Sequence, residues 1–222
     1  MSNGKAFTHL KNKWWLYLIW LLVVAVVATN VYTVAAEPEG ADKLVIFSAT
    51  YGDEESQINY FKKLKPDYVK KIEVTAMPKS DNYFDSVFSA SYIYFFGGCT
   101  VNKYALADVV IIPESVADGL FSNGDPGDWL ELNDTAVRAA FVDTGKTITY
   151  YEKSGKLFGI KIFDKEDEDD KSPFKFTDGE GNKENFYALF RNASLHLGSL
   201  SDSSANKKHD GAITIVKELL SL

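Results

Sequence analysis

A single cysteine, Cys99, is all the thiol chemistry this 222-residue chain carries. One cysteine cannot close an internal disulfide, so a small disulfide-stapled scaffold is excluded and the core must hold itself together. Cys99 itself reads as a small buried side chain rather than a reactive thiol. Only three histidines occur, His9, His196 and His209. None stands next to another histidine or a cysteine at metal-ligand spacing, which gives a zinc site little support. His196 reads as a packed or surface imidazole. Positive charge is also scarce, with 24 Lys and Arg against 31 Asp and Glu and a net charge of −7. That balance argues against nucleic acid and against docking on anionic headgroups. There is no HExxH, nucleophile elbow or phosphate loop. Ser172-Pro-Phe-Lys175 and Ser204-Ala-Asn-Lys207 match a bare S-x-x-K without its partner motifs. The sequence makes no case for an enzyme, and it implies no cofactor.

Charge is missing altogether from "WWLYLIWLLVVAVVATNVYTVAA", residues 14–36. About 20 apolar residues span a bilayer's hydrocarbon layer, so this run has the length of a transmembrane helix. Trp14, Trp15 and Tyr17 stand at its start, where amphipathic rings favour the headgroup level. Lys5, Lys11 and Lys13 precede it, and Glu37, Glu39 and Asp42 follow. That asymmetry puts segment 1–13 in the cytoplasm and everything after residue 36 outside the cell. A cleaved signal peptide ending at Val34-Ala35-Ala36 is the alternative, although the apolar run exceeds the usual h-region. No lipobox follows. A lipid-free anchor without disulfides suits a Gram-positive cell surface.

After a polar linker, 37–42, the remaining residues 43–222 are enough for one filled core. All 31 acidic residues lie beyond residue 36. "KLVIFSAT", 43–50, reads as a buried strand, followed by a turn and a helix with Ile58, Phe61 and Leu64 at helical spacing, stopped by Pro66. "IEVTAM", 72–77, is a second strand. A helix over "NYFDSVFSASYIYFFGG", capped by Ser80 or Asp81 and stopped by Gly97-Gly98, precedes a third strand in "ADVVIIPES", 107–115. A short helix follows that strand. The alternation predicts a doubly wound α/β start. The pattern then changes to a hairpin around Lys153-Ser-Gly-Lys within 147–163, and a strand in 185–193. The final helix carries Ile213, Val216 and Leu220 on one face. The fold class is therefore α/β, a mixed sheet with a doubly wound parallel core preceded by one transmembrane helix. Most of the dense aromatics belong to the core.

The order of these segments resembles the first lobe of the bacterial extracellular solute-binding proteins of family 1, the sugar-binding components of ABC importers. The pieces are the opening strand and its Tyr60-Phe61 helix, the Ala107–Val110 strand, "WLELND" at 129–134, Phe158-Gly159-Ile160 in the hairpin, and "FYALFRNASLHLGSL" at 186–200. The resemblance implies one lobe of a periplasmic-binding-protein fold, and a sugar held between two lobes in complete members. Here the final helix follows residue 204 almost at once, so the facing wall of such a cleft is expected to be missing. The expected role is a membrane-anchored binding or accessory protein beside a transporter or another surface protein, its ligand unknown. The alternative is a solute-binding component with a reduced or dimer-completed site.

Ligands of open α/β sheets sit at the carboxyl ends of the strands. Glu114 and Ser115 occupy that edge and are the ligand-binding candidates. The same residues open a helix, where a side-chain oxygen of either is expected to cap free N–H groups. Asp164, Glu166, Asp178 and Glu180 are weak calcium candidates, set in acidic loops that lack the glycine of a helical-hand site. Asn133-Asp-Thr and Asn192-Ala-Ser match the glycosylation sequon, which carries weight only in a eukaryote.

Overall fold

The uncharged amino-terminal run winds into a helix, α1 (Asn3–Ala35), interrupted by a non-helical Lys13 at φ −123° and ψ 16°. Residues Lys13–Tyr32 form 20 residues of mean hydropathy 2.0 with none of that window buried, so this helix is long and apolar enough to cross a membrane. Two of its polar side chains bond back to the helix. Thr29 Oγ1 and Asn30 Nδ2 each donate to the carbonyl four residues back, Ala25 and Val26, at 2.7 Å. Such back-bonding leaves fewer polar atoms facing an apolar surrounding. This computed structural model describes residues 3–35, 38, 40–76, 107–123, 128–167, 172–178, 180–201 and 209–222. It divides into two units, Met1–Glu39 and Gly40–Leu222. Cys99 and the helix expected over 82–98 lie outside the described residues.

The second unit is built on β1 (Lys43–Ser48), β2 (Lys71–Ala76), β3 (Val109–Pro113), β4 (Tyr150–Lys153), β5 (Lys156–Phe163) and β6 (Phe186–Phe190). They form one six-stranded sheet in the order β2-β1-β3-β6-β5-β4. The β1–β2 and β1–β3 pairs are parallel, while β3–β6, β5–β6 and β4–β5 are antiparallel. The expected mixed α/β sheet is therefore present. Runs of Val, Ile and Phe become the inner strands because both of their faces are covered. Val109, Val110, Ile111 and Ile112 are all 2% exposed or less.

Alternation along the strands divides the core into two layers. Leu44, Ile46, Val109, Ile111, Ile160 and Ala188 face one side. Phe61 of α2 (Glu54–Lys63) and Ile215, Val216 and Leu219 of α5 (Gly211–Ser221) belong to that layer. Val45, Phe47, Val110, Ile112, Leu189 and Phe158 face the other side with Val116 and Ala117 of α3 (Glu114–Asn123). The hairpin turn is Ser154-Gly155, with φ of 54° and 77°. Two successive positive φ angles define the tight turn whose twist matches antiparallel strands.

Two local readings needed correction. The buried face of α2 is Gln57 and Phe61, while Ile58 is only half-buried. Gln57 is drawn inside because its amide serves the preceding turn, accepting from Thr50 Oγ1 at 3.0 Å and donating to the Tyr51 carbonyl at 3.0 Å. A further helix, α4 (Asp134–Ala140), follows the 129–134 segment. Asn133 caps it by accepting from the Ala136 N–H at 3.1 Å, and Asp134 pairs with Arg138 one turn on.

Val110→Asp would place a carboxylate among the apolar side chains of the second layer. The expected loss is at least about 4 kcal/mol, a large part of a domain's usual margin. A thermal melt followed by circular dichroism checks this. A soluble variant melting cooperatively near the wild-type temperature would contradict the position given to β3.

Candidate functional site

In the order β2-β1-β3 the chain leaves β1 to one side and returns on the other. The carboxyl ends of β1 and β3 therefore flank the switch point where ligands of open α/β sheets bind. Beside β1 that edge is filled by Ser48, Thr50 and Gln57, each 1% exposed or less. Ser48 Oγ and Thr50 Oγ1 are 2.8 Å apart, and the Gln57 amide accepts from Thr50. These polar groups satisfy one another.

Beside β3 the edge carries Glu114 and Ser115, the two sequence candidates, at the start of α3. Their backbone donors are met by the chain entering β6. The Glu114 N–H donates to the Asn185 carbonyl at 2.9 Å, and the Ser115 N–H donates to Glu184 Oε1 at 2.7 Å. Glu184 thus caps the Ser115 N–H at the start of α3. Glu114 is engaged elsewhere, accepting from Asn185 Nδ2 at 2.8 Å and from the Tyr187 hydroxyl at 3.3 Å. One turn on, Asp118 accepts from the Tyr151 hydroxyl at 2.9 Å, with Lys153 Nζ 3.9 Å away. Burial, joined by the charge of Glu114, pushes the Tyr187 phenol up; burial and its bond to Asp118 do the same for Tyr151. Both phenols keep their protons at neutral pH and act as donors. Lys161 lies 2.9 Å from Asp164 and 5.9 Å from the centre of the Tyr187 ring. Asn185, Tyr187 and Glu184 were missed from sequence, although alternation puts Asn185, Tyr187 and Leu189 on one face of the strand.

The calcium candidates are spread over two loops. Asp164 is held by Lys161, whose hydrogen bond keeps its carboxyl below the usual range. Asp178 is turned into its own loop, accepting from the Glu180 N–H at 2.9 Å and the Asn182 N–H at 2.8 Å. The Asn182 side chain lowers its pKa further. Glu180 is exposed, and Glu166 donates its N–H to Asp164 Oδ1 at 3.2 Å. Among the described residues no three His, Cys, Asp or Glu side chains gather in a group that could hold a metal ion.

A second polar cluster forms at the opposite ends of the strands. His196 is 1% exposed. The Gly211 N–H donates to the Tyr68 hydroxyl at 2.7 Å, and that hydroxyl lies 3.1 Å from His196 Nδ1. His196 Nε2 lies 2.8 Å from the Lys43 carbonyl. A carbonyl only accepts, so Nε2 carries a proton and donates it to Lys43. Burial pushes the Tyr68 phenol up to about 12. Asp108 stands close by, accepting from the Val45 N–H at 2.7 Å and the Ser194 hydroxyl at 2.6 Å. Burial raises its carboxyl pKa, opposed by His196 and by these hydrogen bonds. The cluster joins β1, β3, the chain after β6 and the start of α5.

The first core layer also borders an open cavity of about 640 Å³ lined by Glu131, Asn133, Thr135, Asn192, Ser199 and Ser201, among others. Both sequon asparagines lie on its wall. Glu131 is paired with Lys156 at 2.6 Å, and the amides and hydroxyls share the wall with Leu130, Ala136, Ala139 and Leu200. Comparison with protein-family models, with curated proteins and with solved structures found no match in any of the three.

Tyr68→Phe leaves the Gly211 N–H and His196 Nδ1 buried without their shared partner, and the expected cost is about 1–3 kcal/mol. Tyr60→Phe removes a single 3.5 Å contact to the Glu218 carbonyl and should cost less than about 1 kcal/mol. Denaturant unfolding of the two variants separates these outcomes; equal losses would show that the cluster adds nothing beyond packing.

Proposed function

We propose that the protein is a membrane-anchored, extracytoplasmic binding or accessory module, akin to one lobe of a solute-binding protein and acting beside a transporter or another surface protein. The observation that carries this reading is the helix Lys13–Tyr32, uncharged beyond its first residue, leading through a short polar linker into a separate folded unit. Twenty helical residues measure about 30 Å, the thickness of a bilayer's hydrocarbon layer. Lysines before the helix and acids after it favour an outward-facing domain. The parallel β2-β1-β3 unit supports the likeness to a solute-binding lobe at the level of architecture alone. At the ligand edge, Glu114 is already engaged by Asn185 and Tyr187, which favours an accessory role over a sugar receptor.

One observation favours the alternative. The cavity offers uncharged hydrogen-bonding groups at Asn133, Asn192, Ser199 and Ser201, beside apolar Leu130 and Leu200, and such a mixed wall suits a neutral polyhydroxy ligand. A wall on one side leaves such bonds in competition with water. Each is then worth about 0.5–1.5 kcal/mol, while association costs at least about 4 kcal/mol. Affinity near millimolar is the expected limit for a monomer.

Protease added to intact cells should remove the domain beyond residue 36 and leave the anchor in the membrane fraction. Protection until lysis would end the outward-facing reading, and a free protein beginning at residue 37 would replace the anchor with a cleaved signal. Calorimetry of the monomeric domain against a sugar panel should show no micromolar binding; such binding would favour the receptor reading instead.

A further inference from the structure

Arg191 follows the last residue of β6, and its backbone is fully employed. Its N–H donates to the Asp108 carbonyl at 3.3 Å, and it is bridged antiparallel to Trp129. The strand's alternation turns its side chain toward the second core layer, where only 6% of it is exposed. The guanidinium carbon lies 4.9 Å from the centre of the Trp129 ring, a stacked cation–π arrangement. Nε and Nη1 are buried and, among the described residues, have no hydrogen-bond partner. Asp128 stands near the guanidinium, with Oδ2 3.7 Å from Nη2, beyond hydrogen-bonding reach, and with its side chain 55% exposed.

This is an unusual state for an arginine. A buried lysine or carboxyl group can discharge, but a guanidinium keeps its charge throughout the accessible pH range. Buried polar groups in folded proteins are nearly always hydrogen-bonded, and buried charges are paired. Three other buried polar side chains of this domain follow that rule. Asp108 has Val45 and Ser194, Gln57 has Thr50 and Tyr51, and His196 has Tyr68 and Lys43. Asp128 compensates Arg191 weakly, because a solvated carboxylate is screened by the water around it.

We propose that Arg191 is the anchor of an anion site that takes the carboxylate of a small organic acid. Nε and Nη1 each stand beside Nη2 on one of the two forks of the guanidinium. A carboxylate matches either fork with two parallel, charge-assisted hydrogen bonds. Asp128 faces Nη2 from the solvent side and can close on one fork while the ligand takes the other. The ligand is small because so little of the side chain is exposed. It is a monoanion because a phosphate dianion would meet the Asp128 carboxylate at close range. The Trp129 ring offers an apolar wall to a short aliphatic tail. The site lies among residues that the proposed membrane role does not use, so it stands or falls independently of that role.

Thermal unfolding of the full chain in detergent micelles, titrated with propionate at constant ionic strength, tests the site. The wild type should show a saturable rise in Tm of about 3–6 °C at tenfold the half-saturating concentration. Phosphate and chloride should give no saturable rise. Arg191→Met should lose the propionate response while melting, without ligand, no lower than the wild type, because it removes an uncompensated buried charge. Should that variant fail to fold, Arg191→Lys keeps the charge but loses both forks, and its half-saturating concentration should rise at least tenfold. A wild type indifferent to propionate, as expected for a guanidinium satisfied by buried water only, would overturn the proposal. So would an equal response in wild type and variant, or a response to phosphate that matches or exceeds that to propionate.

Discussion

The second unit is organised around β3, a five-residue strand that joins a parallel half-sheet to an antiparallel one. β1 lies on one side of it and β6 on the other, and all five residues are buried. A carboxylate stands at each end of the strand. Asp108 precedes it and accepts from Val45 and from Ser194, beyond β6. Glu114 follows it and accepts from Asn185 and Tyr187, at the start of β6. These charge-assisted bonds fix the antiparallel register by clamping the pair at both ends. A one-residue slip would break both clamps and would also exchange the two core layers.

The same arrangement explains how polar groups enter so apolar a core. Buried side chains with hydrogen-bonding atoms lie at the ends of strands, where backbone donors would otherwise go unpaired. Tyr68 serves the first turn of α5, Gln57 serves the turn into α2, and Glu184 serves the first turn of α3. Each comes from a segment distant from, or opposite to, the helix it serves, except Gln57, which lies within its own. Element ends are thereby tied to neighbouring elements, and this couples local structure to tertiary packing.

That coupling marks the limit of what could be read in the sequence. Strands were legible because Val45, Ile46, Val109 to Ile112 and Phe186 to Phe190 sit in short apolar runs that suit two-sided burial. The hairpin was legible because Ser-Gly between alternating runs suits a tight turn. The helix Asp134–Ala140 carried its own signals in the Asn133 cap, the acidic first turn and the basic last turn. Those signals were overlooked because seven residues show almost no apolar period. The placement of β6 beside β3 could not be read, since a buried strand looks alike in parallel and antiparallel company. Nor could the engagement of Glu114 be read at the candidate edge, because Asn185 and Tyr187 are some seventy residues away in sequence. Arg191 offered no sequence signal at all: one arginine after a strand is ordinary until its burial is known.

The parallel placement of β1 bears on mechanics. The polar linker enters the folded unit at Lys43, the first residue of β1, and that strand is bonded along both edges, to β2 and to β3. Tension applied along β1 would act lengthwise on two ladders at once. In that geometry the bonds share the load and yield together, whereas a strand peeled sideways from a sheet's edge loses its bonds one at a time. The amino end of β1 is therefore a point that resists pulling, and the four-residue edge strand β4 lies at the far side of the sheet from β2.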